Sequence, residues 1–476
     1  MPVNSFDDHP LTWAPARATL SGGPVYLALA AALEGDIRSG AVPPGSMLPP
    51  QRELADFLDI DFTTVTRAYG VCREKGLIYG VKGRGTFVAS AADLARGEDG
   101  VVDCGVVQGF PGIGEDEVLA AARDVFARPS PAGLFSYRDR EGTALSRAAG
   151  IRWLRRNGIS AEPSQMAVFP GAQGAISAAL LALFRAGDAI AVDEFTYANF
   201  ISLARLAHIR LVPVASDADG MKPAALDEAA ADGRLKGVFL MPHCANPTAR
   251  NLSERRKSAI AEVVRRRNLI LLEDDAALAL PGRRERTFFS RLPRQTVHIS
   301  GATRYIVPGL RVAFMAFPEE RAEALLDALH HIAIKASALD AEILGEVILS
   351  GRAERILRAK CEKARAANAL FDEAFPHAPP AADTSLFRML PLPGTSGHGH
   401  EIEERCRRAG VLVCHSDRFS ARSGNPLSFL RVSVSSAPSL SHLRRAFAAL
   451  SGAVLPAWAQ GHATAPIRTP CGRCGG

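Results

Sequence analysis

Two stretches of this chain place groups suited to anion chemistry. PGAQGAISAAL, beginning at Pro170, sets the backbone N–H groups of Gly171, Ala172 and Gln173 at the head of an apolar helix, a natural phosphate seat. The run SGATRYIVPGLRVA, Ser300 to Ala313, carries two arginines, Arg304 and Arg311. A guanidinium stays protonated at any working pH, so Arg304 cannot attack an aldehyde as a lysine amine does. Covalent amine chemistry at that position is not expected. Arg311 offers a bidentate, charged clamp of the kind that grips phosphate.

The elements that must position these groups follow from hydrophobic patterning. From about residue 102 to 320, helical segments alternate with short β-branched and apolar runs: AIAV (189 to 192), GVFLM (237 to 241), LILLE (269 to 273), VHIS (297 to 300) and VAFMA (312 to 316). Strands buried on both faces read this way, and their alternation with helices predicts an α/β domain with a mostly parallel sheet. Longer helices and a last mixed segment after residue 320 predict a smaller α+β subdomain.

The first ninety residues differ in pattern. Tyr26, Leu29, Ala30, Leu33 and Ile37 recur at helical spacing, with Gly40 as a stop. Pro50 suits a first helical turn, and Leu54, Phe57 and Leu58 give a second short helix. Asp61 can cap a third, with Val65, Ala68, Tyr69 and Cys72 as its buried face. LIYGV and TFVA, joined by the tip KGRG, suit a β-hairpin. Three short helices and a hairpin describe a winged helix-turn-helix, whose third helix enters the major groove of DNA.

Composition sets bounds. The chain has 476 residues, 47% hydrophobic and 22% charged, which fits a globular protein of two or three domains. No leader-like segment and no membrane span are read, so the expectation is a cytoplasmic protein. Eight scattered cysteines fit reduced thiols. Cys471 and Cys474 supply only two of the four ligands of a structural zinc site, and His398 and His400 lie in a glycine-rich loop, so no metal is expected. The net charge of +6 says little, because residues 20 to 90 hold seven basic and seven acidic side chains. Five of those basic groups follow residue 66, and six of the acidic ones precede it.

The wording of this head closely resembles the GntR family of regulators, from Tyr26 through LPPQRELADFL, TTVTRAY, EKGLI and GRGTFV to Ala89. The resemblance implies that Arg52 at the start of the second helix, and Thr63, Thr64 and Arg67 on the third, contact bases and phosphates of double-stranded DNA, and that Lys82 and Gly83 do so from the wing. The chemistry agrees: a guanidinium grips a guanine edge, hydroxyls and helix N-termini bind phosphate, and glycine permits close approach. Asp61 and Phe62 replace the family's usual hydroxyl and arginine.

The remainder resembles fold-type I pyridoxal phosphate (PLP) enzymes, and the two parts joined resemble the MocR subfamily of GntR regulators, over Tyr26 to about Leu450. By that resemblance Gly171, Ala172, Gln173 and Arg311 hold the cofactor phosphate, and Tyr197 in EFTYANF stacks on the pyridine ring. Asn246 in HCANPT donates to the phenolic oxygen, Asp274 in LLEDDA pairs with the ring nitrogen, and Arg431 in FLRVS holds a substrate carboxylate. Arg304 stands where the family carries its Schiff-base lysine and is expected to add a second positive charge beside Arg311 in the cofactor seat. Gly301 replaces a phosphate-binding serine, Ala276 and Ala277 a supporting tyrosine, and Ala249 the glycine after NPT. The anchors remain and the reactive amine does not.

The expected domains are the winged helix-turn-helix at 20–89, a linker at 90–102, an aminotransferase-like large domain at 103–320, its small subdomain at 321–455 and a flexible tail at 456–476. The expected protein is a homodimeric DNA-binding regulator without catalytic residues. Its large domain senses a phosphorylated or carboxylated effector, with PLP held non-covalently if at all. An active aminotransferase with a DNA-binding head, and a ligand-free scaffold that pairs two heads, stay open beside it.

Overall fold

Leu29, Ala30 and Leu33 line one face of α1 (Val25–Ser39) and share a core with Val65, Ala68, Tyr69 and Cys72 of α3 (Phe62–Glu74). Between them α2 (Gln51–Leu58) buries Leu54, Ala55 and Leu58. Asp59 turns the chain into the left-handed region (φ 57, ψ 48) and its N–H returns to the carbonyls of Ala55 and Asp56, which ends α2. Asp61 then accepts from the N–H of Thr63 at 2.7 Å and from its hydroxyl, capping α3. The tight α2–α3 turn is the helix-turn-helix expected from the sequence.

β1 (Met47–Leu48), β2 (Ile78–Val81) and β3 (Gly85–Val88) form an antiparallel sheet in the order β1, β3, β2. The two-residue β1 and the seating of Trp13 in this core were not legible beforehand; Trp13 also donates to Asp36 Oδ2 at 2.9 Å. The buried Tyr69 hydroxyl donates to the Pro49 carbonyl at 3.0 Å, fixing the chain that enters α2. Tyr69→Phe leaves that carbonyl unpaired, an expected loss of about 1–3 kcal/mol in urea unfolding of the head. An unchanged midpoint would show that the bond holds nothing.

The structure is a computed structural model that describes residues 11–15, 23–39, 41–74, 77–81, 85–89, 101–128, 134–275, 286–302, 304–392, 398–422, 424 and 427–461. The chain divides into two units between Gly100 and Val101.

The second unit is built on seven strands in the spatial order Met166–Phe169, Ala313–Ala316, Thr296–Ser300, Ile270–Asp274, Leu235–Leu240, Ala189–Asp193 and Arg210–Val214. Ala313–Ala316 runs antiparallel to both neighbours, and the other pairings are parallel. All five apolar runs named from the sequence are strands. Met166–Phe169 and Arg210–Val214 were not anticipated, since MAVF is short and RLVPV carries a proline, which an edge strand tolerates. Apolar side chains of both sheet faces are sealed by helices, among them Gly171–Leu183 and Glu254–Arg266.

A second sheet, Phe387–Pro391, Phe429–Ser433 and Cys414–His415, is antiparallel and packs with the helices Arg352–Ala374, Gly399–Arg408 and Leu440–Gly461. Val102–Asp103 pairs in parallel with Val411–Leu412, so the start of this unit lies beside the segment that leads into Cys414–His415. The last helix reaches Gly461, inside the stretch expected to be a flexible tail. Cys471 and Cys474 lie outside the described residues.

Candidate DNA-binding face and cofactor seat

On the head, Arg52 and Arg67 are exposed on α2 and α3. Each guanidinium lies over an aromatic ring, Arg52 at 5.7 Å from the Phe62 centroid and Arg67 at 4.1 Å from Tyr26, which limits the rotamers to be ordered on binding. Thr63 and Thr64 occupy the first turn of α3, with the Thr63 hydroxyl donated to Asp61. Lys82 and Gly83 fall outside the described residues.

In the second unit the carboxyl ends of neighbouring strands deliver the seat, the usual ligand edge of an open α/β sheet. Asp274 ends Ile270–Asp274, and the loop after Leu235–Leu240 carries His243 and Asn246. The loop after Thr296–Ser300 carries Arg304, and Arg311 follows a single 3₁₀ turn, Pro308–Leu310. Gly171 (φ +72) opens the helix Gly171–Leu183, and a Cβ placed on it would lie 2.9 Å from an Arg311 guanidinium nitrogen. Arg311 is thus set at that helix N-terminus, beside Ala172 and Gln173 of the first turn.

Tyr197 donates to Gln173 Oε1 at 3.2 Å and accepts from Asn199 at 3.1 Å; burial raises its pKa, with Arg304 and Arg311 opposing. Arg431, buried, donates to Asn246 Oδ1 at 3.1 Å and to the Gly105 carbonyl. Burial lowers the Arg431 pKa. The structure therefore joins Asn246 to Arg431, and Gly171, Gln173, Tyr197 and Arg311 into a second group. Asp274 and Arg304 line one small cavity with Asn246, His243 and Phe387, of about 20 Å³.

Burial pushes the Asp274 carboxyl up to about 6, with Arg304 opposing the shift and Asp275 adding to it. Its Oδ1 is buried without a hydrogen-bond partner. A buried carboxylate oxygen with nothing to accept from marks the place of a missing donor, and a protonated pyridine nitrogen is one. The Asp274 oxygen, the helix N-terminus and Arg311 fit the ring nitrogen and phosphate of PLP. The free space is about one water's worth, so a ring enters only if a side chain of the wall moves. No hydrogen bond holds the Arg304 or Arg311 guanidinium among the described residues.

Behind the seat runs a network that sequence reasoning missed. His243 Nδ1 lies 2.7 Å from Asp275 Oδ2, and the Lys257 ammonium donates to His243 Nε2 at 3.0 Å, which leaves the ring proton on Nδ1. The signal was present, since His243 is in the HCANPT segment and Asp275 adjoins Asp274, but no spacing rule ties Lys257 to either. Gly109 (φ +71) crosses over the Arg304 backbone, where a Cβ would come within 2.2 Å of the Arg304 carbonyl oxygen. Four non-glycine residues of these loops, Phe110, Cys244, Ala249 and Arg311, hold φ of 48 to 62. At Ala249 this is the conformation that the glycine after NPT would adopt without strain. Ala276 and Ala277 lie outside the described residues.

Residues 25–88 match the family of bacterial regulatory proteins called gntR, and residues 114–450 match aminotransferase class I and II. The chain is 32% identical over 454 residues to the HTH-type transcriptional regulator YdeF of Bacillus subtilis, covering 94% of this chain and 97% of that one. This chain belongs to the GntR regulators of MocR type. The MocR-type chain is also 28% identical to PtsJ of Salmonella typhimurium, a vitamin B6 salvage pathway transcriptional repressor, over 59% of this chain and 64% of that protein. Among solved structures, an archaeal alanine:glyoxylate aminotransferase superposes with a TM-score of 0.70 at 19% identity, over 77% of this chain and 93% of that one. LysN of Thermus thermophilus, an α-aminoadipate aminotransferase, does so with 0.65 at 23%, over 77% and 96%. These two likenesses show that the MocR-type second unit has the fold-type I aminotransferase fold. Among the described residues no helix is long and apolar enough to cross a membrane.

Proposed function

We propose that this regulator binds DNA through Arg52, Thr63, Thr64 and Arg67, with Lys82 and Gly83 on the wing. Its aminotransferase-like unit pairs two copies in the cytoplasm and senses a phosphorylated or carboxylated effector without performing transamination. The effector occupies the PLP seat non-covalently: Gly171, Ala172, Gln173 and Arg311 take the phosphate, Asp274 the ring nitrogen, Asn246 the phenolic oxygen and Tyr197 the ring face. Arg431 takes a carboxylate. When bound in related enzymes, PLP supplies an electron sink and an aldehyde for an amine.

One observation carries this reading. Arg304 occupies the cavity wall beside Asp274, and among the described residues no lysine lines that cavity. Lys257 is engaged by His243 and by Glu254 at 2.8 Å. Calorimetric titration with PLP, pyridoxamine phosphate and inorganic phosphate tests it; heat and a thermal shift with at least one pyridine phosphate are expected. Silence across the panel would favour the scaffold reading, to which the small free volume also points. Light scattering at twice the chain mass is the expected result for pairing.

Arg52→Ala is expected to weaken operator binding by about 1–3 kcal/mol, a guanidinium-to-guanine contact, in fluorescence anisotropy at fixed salt. An equal loss on every DNA sequence would assign Arg52 to phosphate instead.

A further inference from the structure

In the seat proposed above, Asp274 takes the ring nitrogen, Asn246 the phenolic oxygen and the Gly171 helix with Arg311 the phosphate, which leaves the carbon opposite the nitrogen to the remaining charged group of the cavity wall. That group is Arg304. We propose that Arg304 selects a guest bearing a carboxylate at this carbon, in preference to an aldehyde or an amine. The proposal rests on the reading above that the seat takes a pyridine phosphate.

The partnering of the arginines supports it. Arg431 already donates to Asn246 and to the Gly105 carbonyl, whereas the five N–H donors of Arg304 find no acceptor among the described residues. Arg304 is half-buried beside the cavity, and a planar fork there matches a carboxylate bidentately. Charge agrees as well. Arg304, Arg311 and Asp274 all act on Tyr197, and the other nearby carboxylate, Asp275, is taken up by His243 at 2.7 Å, so two guanidinium charges stand against one uncommitted carboxylate and can accept a phosphate and a carboxylate together. A guest with an ammonium at the same carbon would set two cations against each other with no acceptor between them.

The backbone is arranged so that only the side chain has to move. The buried Lys360 ammonium donates to the Ile306 carbonyl at 2.7 Å, and Gly109 packs against the carbonyl of Arg304, which pins the loop from both sides. Nothing comparable pins the guanidinium among the described residues.

The test is calorimetry on the full chain with PLP, pyridoxamine phosphate, inorganic phosphate and the phosphate of 4-pyridoxic acid, in which the aldehyde of PLP is a carboxylate. The carboxylate compound is expected to bind at least about tenfold tighter than PLP, the gain of a charge-assisted hydrogen-bonded pair, and pyridoxamine phosphate weakest of the three. Arg304→Gln, first checked for native thermal unfolding, is expected to erase that preference while leaving PLP affinity within about threefold. Equal affinities for carboxylate and aldehyde, or an equal loss for all guests in Arg304→Gln, overturns the proposal and leaves the seat intact. Binding of no pyridine phosphate, or binding indifferent to Asp274→Asn, overturns the seat itself and the proposal with it.

Discussion

Arg304→Lys is expected to give this protein a covalent bond to PLP that the native chain does not form. A lysine on the same loop would place its amine in the cavity shared by Asp274 and Asn246. The neighbouring Arg431 charge and partial desolvation favour the neutral, nucleophilic amine, and the Asp274 carboxylate opposes them. Condensation with the aldehyde releases water and leaves a bond that borohydride reduces irreversibly. The readout is all or none: visible absorbance on mixing, and a mass increment on the intact chain after reduction. The native chain treated alike is expected to show neither. An adduct on the native chain would end the non-enzymatic reading, and an Arg304→Lys chain that binds PLP without forming one would mean that this loop does not face the aldehyde carbon.

Asp274→Asn is expected to act with opposite signs on stability and on binding. The ligand-free carboxylate is buried with one unpartnered oxygen and a pKa raised from 3.8 to about 6. A raised acid binds its proton more readily in the folded state, so its favourable contribution is complete below pH 3.8 and is lost as pH rises to about 6. At neutral pH the folded state carries the full cost of that charge. Removing it is expected to stabilise the empty protein by roughly 1–3 kcal/mol, visible as a higher midpoint at pH 7.5 that shrinks towards pH 4. The same change deletes the charged acceptor for a pyridinium, an expected loss of about 1.5–3 kcal/mol in affinity, roughly ten- to a hundredfold. In the native chain, binding should weaken below about pH 6 as Asp274 protonates. A variant that loses stability, or binds pyridine phosphates unchanged, would remove Asp274 from the role assigned to it.

Much of this arrangement was legible in advance because it depends on local rules. The caps and breaks around α2 and α3, the buried runs that became strands and the helix opening at Gly171 each follow from a few adjacent residues. What escaped depends on distant partners. Arg431 meets Gly105, 326 positions away, and no pattern in FLRVS says so. Trp13 joins the head core from a segment without periodicity, and Lys257 reaches His243 from the start of the helix Glu254–Arg266, across the loop that precedes it. The pairing of Val102–Asp103 with Val411–Leu412 is a parallel contact of two residues, too short for any sequence signal.

That last pairing has a mechanical corollary. The opening segment of the second unit, which holds Val102 and Asp103, is the same one whose Gly105 carbonyl Arg431 grips and whose Gly109 rests on Arg304. A guest that competes for Arg431 or lifts Arg304 is therefore expected to loosen this opening segment directly, with no relay through the seven-stranded sheet.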